Sequence, residues 1–142
     1  MVTFGPLLLN SVGSTPLLFL NMINNGGTLE NQYKAFCDVR DVAMAHYKAA
    51  LLPKAADKRH IIVSIRNRIL ISDWIKIYNE EFNSKGYYSS TKFEKYENIP
   101  GNLTYDDTNM REILGLVPHD VRKTIIDMVN SLIEFGIIKK NS

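Results

Sequence analysis

The sequence predicts an α/β fold with about five helices and few strands. Stretches in which apolar residues recur every three or four positions alternate with short β-branched or alternating runs. The 142 residues are 45% hydrophobic and 23% charged, which is typical of a globular domain. We expect one domain, or one part of a larger one.

The first 53 residues predict two helices and a short strand. The Ser-Thr-Pro run at 14–16 is typical of a helix start, and the Asn-Asn-Gly-Gly run at 24–27 ends that apolar helix. Residues 32–38 alternate in polarity, as a strand does, although only loosely. Asp41 can cap a second helix, and Pro53 ends it.

The middle of the chain predicts the best-defined strand and a third helix. The β-branched run at 60–65 is long enough for a buried strand and too short for a helix, so we expect at most three strands in all. Ser72 can cap a helix that continues to Phe82, because Trp74 and the other apolar residues of this stretch share one face. Residues 83–107 lack periodicity and predict a long irregular excursion.

Two helices are predicted in the last part of the chain. Asp107 or Thr108 opens a short helix that Gly115 ends. Asp120 caps the final helix, which Gly136 ends. The expected buried faces consist of Met110, Ile113 and Leu114 in the first, and Val121, Ile125, Met128, Leu132 and Phe135 in the second.

Composition and charge exclude several classes of partner. The 17 Lys and Arg residues against 15 Asp and Glu leave a net charge of +2, too little for a nucleic-acid footprint or a polybasic membrane anchor. The longest apolar runs are far shorter than the about 20 residues of a membrane span. One cysteine excludes an internal disulfide and indicates a reducing compartment. We therefore expect a cytoplasmic protein that binds no nucleic acid and no membrane.

Nucleotide, metal and thiol sites are not expected. The eight glycines never form the G-x-G-x-x-G turn or the phosphate-binding loop. His46, His60 and His119 lie in three different elements, so no metal site is predicted, and His46 is interpreted as a packing residue. Cys37 is interpreted as a buried, inert thiol.

No catalytic residue is predicted either. Tyr88 and Lys92 match a Tyr-x-x-x-Lys pattern, but their segment reads as a loop, so the two side chains do not share a helical face. The adjacent carboxylates Glu80-Glu81 and Asp106-Asp107 point apart on a helix and are interpreted as solvated faces.

A resemblance to a known family rests on several segments in a fixed order. Residues 38–46, Asp-Val-Arg-Asp-Val-Ala-Met-Ala-His, follow Phe-Gly-Pro at 4–6 and precede Arg-His-Ile-Ile-Val-Ser at 59–64. Together they resemble the C-terminal half of the extended short-chain dehydrogenase/reductase family, in its NAD-dependent epimerase/dehydratase group. The nearest branch looks like the dihydroflavonol, cinnamoyl-CoA and ketone/aldehyde reductases. Residues 72–87, 109–115 and 124–136 agree with it as well.

This resemblance implies a Rossmann-type substrate lobe without the nucleotide-binding half. The family's glycine fingerprint, catalytic Ser and Tyr-x-x-x-Lys pair precede the part that the chain resembles, so we expect this chain alone to bind neither the NADP nor the NAD of the full-length family. Val2, Thr3 and Phe4 align with the segment whose backbone approaches the nicotinamide. Gly5 and Pro6 correspond to the turn into the substrate lobe. The residues that would bind a small-molecule carbonyl substrate stay unassigned.

Two hypotheses for function follow, and a third explanation concerns the gene. The chain is a truncated oxidoreductase of the NAD(P)-dependent type, acting on carbonyl or CH-OH groups in its family but inactive alone. Alternatively, it is a non-catalytic binding module that pairs with itself or with a full-length relative. An incomplete gene prediction would also produce such a sequence. In each case Asp38, Arg40 and Asp41 are read as a capped, ion-paired junction rather than as a substrate contact, with Val39 and Val42 anchoring the helix to a sheet.

Overall fold

The computed structural model describes residues 1–95 and 103–141. Within these residues the α/β class is confirmed. Four α-helices and six strands of two or three residues form the fold. The helices are α1 Ser14–Asn24, α2 Val39–Leu51, α3 Ile71–Phe82 and α4 Val121–Glu134. The strands are β1 Val2–Phe4, β2 Thr28–Leu29, β3 Tyr33–Lys34, β4 Phe36–Asp38, β5 Ile69–Leu70 and β6 Lys92–Phe93.

The strands pair in three separate two-stranded sheets within the described residues. β1 and β4 are parallel, with Val2 opposite Phe36 and Phe4 opposite Asp38. β2 and β6 are also parallel, and β3 and β5 are antiparallel. The strands are therefore shorter and more numerous than the sequence predicts. The β1–β4 pair lies at the centre, because α1 and α4 both pack against it.

An aromatic cluster fills the space between the β1–β4 pair and the helices. The Phe4 ring meets Trp74 at 4.9 Å and Phe36 at 5.2 Å between centroids, both edge to face. Phe19 of α1 contacts Phe4 and Tyr78 in the same manner. Edge-to-face pairs of this kind add about 0.5–1.5 kcal/mol each beyond the burial of their area. The cluster fixes α1 and α3 against the strand pair.

The first and last helices form where the sequence predicts them. α1 begins at Ser14, and Gly26, with φ of +68°, follows its end. Asp120 caps α4, since its carboxylate accepts a hydrogen bond from the Lys123 amide at 3.0 Å. Gly136, with φ of +69°, follows the end of α4 as expected. On the predicted face, Val121, Ile125, Met128 and Leu132 are buried and Phe135 is half-buried.

Two predicted helix caps are wrong, for the same physical reason. α2 begins at Val39 and is capped by Asp38, which accepts from the Arg40 amide at 2.7 Å, whereas Asp41 lies inside the first turn. Ser72 also lies inside its helix. Its amide donates to the side chain of Asn31 at 3.2 Å. In both places a distant or earlier side chain satisfies the free amides, which local sequence spacing does not reveal.

The strand predicted at 60–65 is wrong. The backbone hydrogen bond found here runs from the Ser64 amide to the Phe36 oxygen of β4, at 2.8 Å. Val63 is nevertheless fully buried, and Ile62 packs beside α2 with Ala45 and Leu114. β-branched residues report burial as much as strand pairing. This run is buried by packing, without a ladder of hydrogen bonds.

The predicted irregular segment 83–107 is confirmed in its described parts, which contain a 3₁₀ turn at Asn83–Lys85 and strand β6; residues 96–102 lie outside the described residues. Next comes the short helix predicted at 107–115, which is a π-helical turn at Asn109–Ile113. Of the three residues predicted to face inward, Met110 and Leu114 are buried and Ile113 is half-buried; Gly115, with φ of +60°, follows the turn. Position and buried face are therefore confirmed, while the helix type differs.

Candidate functional site at the end of the parallel strand pair

The carboxyl ends of β1 and β4 form the candidate site. Phe4 and Asp38 lie opposite each other at this edge, followed by Gly5 and by the first turn of α2. In α/β proteins ligands bind beyond the carboxyl ends of parallel strands. Val2, Thr3 and Phe4, the three residues predicted to approach a nicotinamide, constitute β1, and Phe4 is the one at its carboxyl end.

The side chains of β1 already contact other parts of the protein. Val2 and Phe4 are buried in the main hydrophobic core. Thr3 faces the other side of the pair, and its hydroxyl lies 3.2 Å from the Cys37 sulfur. A ligand at this strand would therefore meet backbone rather than these side chains.

The outer edge of β1 has no partner strand within the described residues. The Val2 amide donates to the Ala35 oxygen at 2.8 Å, so the peptide groups of Val2 face β4. Because successive residues of a strand alternate, the amide and carbonyl of Thr3 point away from β4. Parallel sheets are usually buried and have more than two strands. β1 thus presents an unpaired edge next to a packed core.

Gly5 brings the backbone close to the start of α2. Its φ is +150°, a conformation that side chains rarely allow. A Cβ at this position would collide with Cγ1 of Val39. We expected Val39 to anchor α2 to a sheet. Val39 is 41% exposed, so it holds α2 only through this contact with the turn. The turn therefore needs glycine for two independent reasons.

Asp38 is a fully buried carboxylate at the centre of the junction. It accepts from the Arg40 guanidinium at 2.6 Å and 2.9 Å and from the Thr124 hydroxyl of α4 at 2.6 Å, besides the Arg40 amide. Burial alone would raise its pKa, but the hydrogen bonds from Arg40 and Thr124 hold the pKa below its ordinary value. Asp38 is a fixed anion that stabilises the junction rather than a free acid or base.

Arg40 links this junction to α4, which confirms that it pairs with carboxylates. Its guanidinium also donates to Asp127 at 2.7 Å, and Lys123 donates to the same carboxylate at 2.9 Å. The hydrogen bonds to Asp38 and Asp127 raise the pKa of Arg40 still further. Thr124 and Asp127, three residues apart on one face of α4, were not among the predicted site residues. Their i, i+3 spacing on a capped helix was the available signal.

Asp41 takes part in a second link instead of capping α2. Its carboxylate accepts from the His119 amide at 2.8 Å, and Nδ1 of the His119 ring lies 2.6 Å from the other carboxylate oxygen. Asp41 is buried, while His119 is partly exposed. The interpretation of residues 38–41 as an ion-paired junction is confirmed, because Asp38, Arg40 and Asp41 all bind other parts of the protein.

The interpretation of the acidic pairs as solvated faces holds for Glu80, Glu81 and Asp106, which are exposed or partly exposed, and is wrong for Asp107. Asp107 is fully buried and accepts from Arg66 and Arg111, each at 2.7 Å, while Asp106 stays exposed. Burial raises the pKa of Asp107, but the two guanidinium groups hold it below its ordinary value. Arg122 of α4 donates to both Glu80 and Glu81 of α3. Arg66 and Arg122 lie about 41 residues from their carboxylate partners, so the sequence does not show these pairs. Arg111 is only four residues from Asp107, and its i, i+4 spacing is visible in the sequence.

The remaining candidates have simple roles. Cys37 is buried as predicted, and burial raises the pKa of its thiol. His46 is not a packing residue: it is exposed, and its Nδ1 lies 2.8 Å from the Val42 oxygen of the preceding turn. Tyr88 lies in a loop and Lys92 in β6, so they share no helical face, as predicted.

Within residues 1–95 and 103–141, no cluster of three His, Cys, Asp or Glu side chains could hold a metal ion. No helix in the same ranges has the length and apolarity to cross a bilayer.

The fold matches part of the α/β fold of several solved structures. Gre2 from Candida albicans in complex with NADPH superimposes with a TM-score of 0.73 at 24% identity, over 94% of this chain and 42% of that one. Yeast methylglyoxal/isovaleraldehyde reductase Gre2, complexed with NADPH, gives 0.72 at 23%, over 96% and 45%. PbgP3 from Burkholderia pseudomallei gives 0.64 at 17%, over 92% and 44%.

This likeness concerns the fold, because all three identities lie below 25%. The chain spans less than half the length of these structures. No family model matches the sequence, and no curated protein matches it significantly.

Proposed function

We propose that this chain corresponds to the C-terminal, substrate-lobe part of an NAD(P)-dependent reductase of the extended short-chain dehydrogenase/reductase family. The whole reductase would transfer a hydride between NADPH or NADH and a small-molecule carbonyl compound. The unpaired outer edge of β1 supports this proposal most, because a short parallel pair beside a packed core is the expected border of a larger parallel sheet.

The nucleotide-binding part would supply the strand that pairs with Thr3. In that arrangement the peptide groups of Thr3 complete the sheet, and the turn at Gly5 follows the carboxyl end of β1, where the backbone of Val2, Thr3 and Phe4 would approach the nicotinamide. The neighbours crystallised with NADPH, of which this chain spans 42% and 45%, support the same division. Alone, the chain would catalyse no redox reaction.

Hydrogen exchange tests this arrangement directly. In the isolated chain the amides of Val2 and Phe4 should be protected, because they donate to β4, whereas the amide of Thr3 should exchange rapidly. Addition of the nucleotide-binding part of a Gre2-type reductase should slow exchange at Thr3. The amide of Val129, inside α4, is the internal control and should not change. Strong protection of Thr3 in a monomer of the isolated chain would contradict the proposal.

An activity assay tests the function itself. The isolated chain should not oxidise NADPH in the presence of small aldehydes or ketones. The mixture with the nucleotide-binding part should do so. Tyr88→Phe is the matched control, because Tyr88 belongs to the rejected Tyr-x-x-x-Lys pattern and the variant should behave as the unmodified chain does. Turnover by the isolated chain, with or without that substitution, would contradict the proposal.

The second candidate function is a non-catalytic module that pairs with itself or with a full-length relative. It is favoured by an apolar stripe on α2, where Met44, Tyr47 and Leu51 are 44%, 63% and 61% exposed at helical spacing. Sedimentation of the isolated chain distinguishes the two candidates. A dimer that Tyr47→Lys converts to a monomer favours the module, and a monomer at all concentrations argues against self-pairing.

A further inference from the structure

A cavity on the side of α3 near its carboxyl end is separate from the β1 edge and from the junction around Asp38. It has a volume of about 210 Å³. At roughly 30 Å³ per water molecule, this is room for about seven waters or a ligand of similar size. Its walls come from α1, α3, the loop after α3 and the tail of the chain; they are Ile23, Asn24, Tyr78, Tyr88, Ile137, Ile138, Lys139 and Asn141.

The most informative wall residue is Tyr78. It is only 2% exposed, and its ring packs against Phe19 and Phe82. Its hydroxyl makes no hydrogen bond within the described residues. Unlike the indole nitrogen of Trp74, which also lacks a partner there, the hydroxyl is not completely enclosed by protein atoms. Buried polar groups normally have a partner. The cavity is the space in which a partner for this hydroxyl can lie.

The hydroxyl is a hydrogen-bond donor at neutral pH. Burial raises the pKa of Tyr78 to about 12, so the phenol stays protonated. Asn141 adds a second donor: its side-chain oxygen accepts from the Tyr88 amide at 2.8 Å, and its NH₂ group makes no hydrogen bond within residues 1–95 and 103–141. The same residue ties the tail to the loop through its own amide, which donates to Gly86 at 2.9 Å. These two hydrogen bonds hold Asn141 in place at the wall of the cavity.

One exposed positive charge lies at the rim of the cavity. Lys139 is the only wall residue with a formal charge, and it makes no ion pair within the described ranges. Lys140 packs along Gly86, and Lys85 lies over the Phe82 ring at 4.8 Å, both without an ion pair in those ranges. The carboxyl end of α1, at Asn24, contributes at most about half a negative charge. A full ammonium charge outweighs it.

We propose that this cavity binds a small organic monocarboxylate. The carboxylate accepts hydrogen bonds from Tyr78 and Asn141 and pairs with Lys139, while the short carbon chain contacts the smaller, apolar part of the wall at Ile23, Ile137 and Ile138. This site is independent of the proposed reductase function and lies outside every residue that function uses.

Butyrate is the probe, and NMR of the full chain is the measurement. Butyrate should shift the side-chain NH₂ signals of Asn24 and Asn141 in a saturable way. Butyramide, which has the same shape without the charge, should bind at least about tenfold more weakly, since hydrogen bonds to charged groups are the stronger ones. Inorganic phosphate should cause no saturable shift, because it has no apolar body.

Two substitutions locate the binding groups. Tyr78→Phe removes a hydroxyl that makes no hydrogen bond to any residue in the described ranges, so the fold should persist while the Kd for butyrate rises about tenfold. Lys139→Gln should raise the Kd about threefold. The matched controls, Tyr47→Phe and Lys54→Gln, lie on the exposed side of α2 and in the turn after it, and they should leave the Kd unchanged.

Three results would overturn the proposal. The first is no saturable shift with butyrate. The second is equal affinity for butyramide or phosphate, which would exclude a carboxylate with an apolar body as the ligand. The third is unchanged butyrate affinity in a folded Tyr78→Phe variant, which urea unfolding would verify.

Discussion

Thr124→Val tests the buried junction between α2 and α4. The Thr124 side chain is fully buried, and its hydroxyl lies 2.6 Å from the Asp38 carboxylate and 2.9 Å from the Asp120 oxygen of the preceding turn. Valine has nearly the same shape, so the substitution removes the hydroxyl without opening a cavity. A hydrogen bond to a charged group contributes about 1.5–3 kcal/mol. We therefore expect the free energy of unfolding to fall by about 2 kcal/mol.

Urea unfolding followed by tryptophan fluorescence measures this change. Trp74 is the only tryptophan and is fully buried, so its emission reports the unfolding of the core. With a slope of about 2 kcal/mol per molar urea, the midpoint should fall by about 1 M. Thr104→Val is the matched control, because Thr104 is exposed, and it should change stability by less than about 0.5 kcal/mol.

The pH dependence of this effect follows from the pKa of Asp38. A carboxyl whose folded pKa lies below its ordinary value of 3.8 contributes stability above that value and loses it as the pH falls through the folded pKa. The difference between Thr124→Val and the unmodified protein should be complete at pH 7 and should shrink as the pH falls below about 4. A change under 0.5 kcal/mol at pH 7, or one that is the same at pH 3, would refute this account of the junction.

Three further predictions concern the turn, the thiol and the second buried carboxylate. Gly5→Ala should lower the free energy of unfolding in urea by about 1–3 kcal/mol, because the φ of Gly5 is positive and an added Cβ would collide with Val39. Gly13→Ala should lower it far less, because a Cβ at Gly13 meets open space. Cys37 should resist a thiol reagent in the native state and react fully in urea; rapid native labelling would contradict its burial. Asp107→Asn should lower the free energy of unfolding at pH 7. Because two arginines hold the pKa of Asp107 below its ordinary value, this loss of stability should become smaller as the pH falls below about 4. A loss that does not change with pH would contradict that cause.

The sequence predicted those features of the fold that depend on local spacing. α1 and α4 have their own start and stop residues, and Asp120 caps its helix as its position indicates. The strand expected at 60–65 failed because its β-branched residues are buried by side-chain packing, which composition does not distinguish from strand pairing. The parallel partner of β1 lies about 34 residues away, and no local signal encodes that pairing.

The candidate site shows the same division. Arg40 pairs with carboxylates as expected, since a neighbouring Asp was visible in the sequence. The hydrogen bond from Thr124 to Asp38 is not visible in the sequence, because the two residues lie 86 positions apart. Asp107 resembles a solvated carboxylate by sequence alone, but it is buried and pairs with Arg66 and Arg111. Arg111 lies four residues away and is visible in the sequence, whereas Arg66 lies 41 residues away and is not. A single sequence does not show which distant residues pair with a buried charge.

The proposal that this chain holds the substrate lobe without the dinucleotide site is tested most directly by titrating the isolated chain with NADPH and following the nucleotide fluorescence. We predict no saturable change up to about 1 mM, which corresponds to binding weaker than about −4 kcal/mol. A saturable change with a Kd in the micromolar range, from a monomeric and unmodified chain, would contradict it.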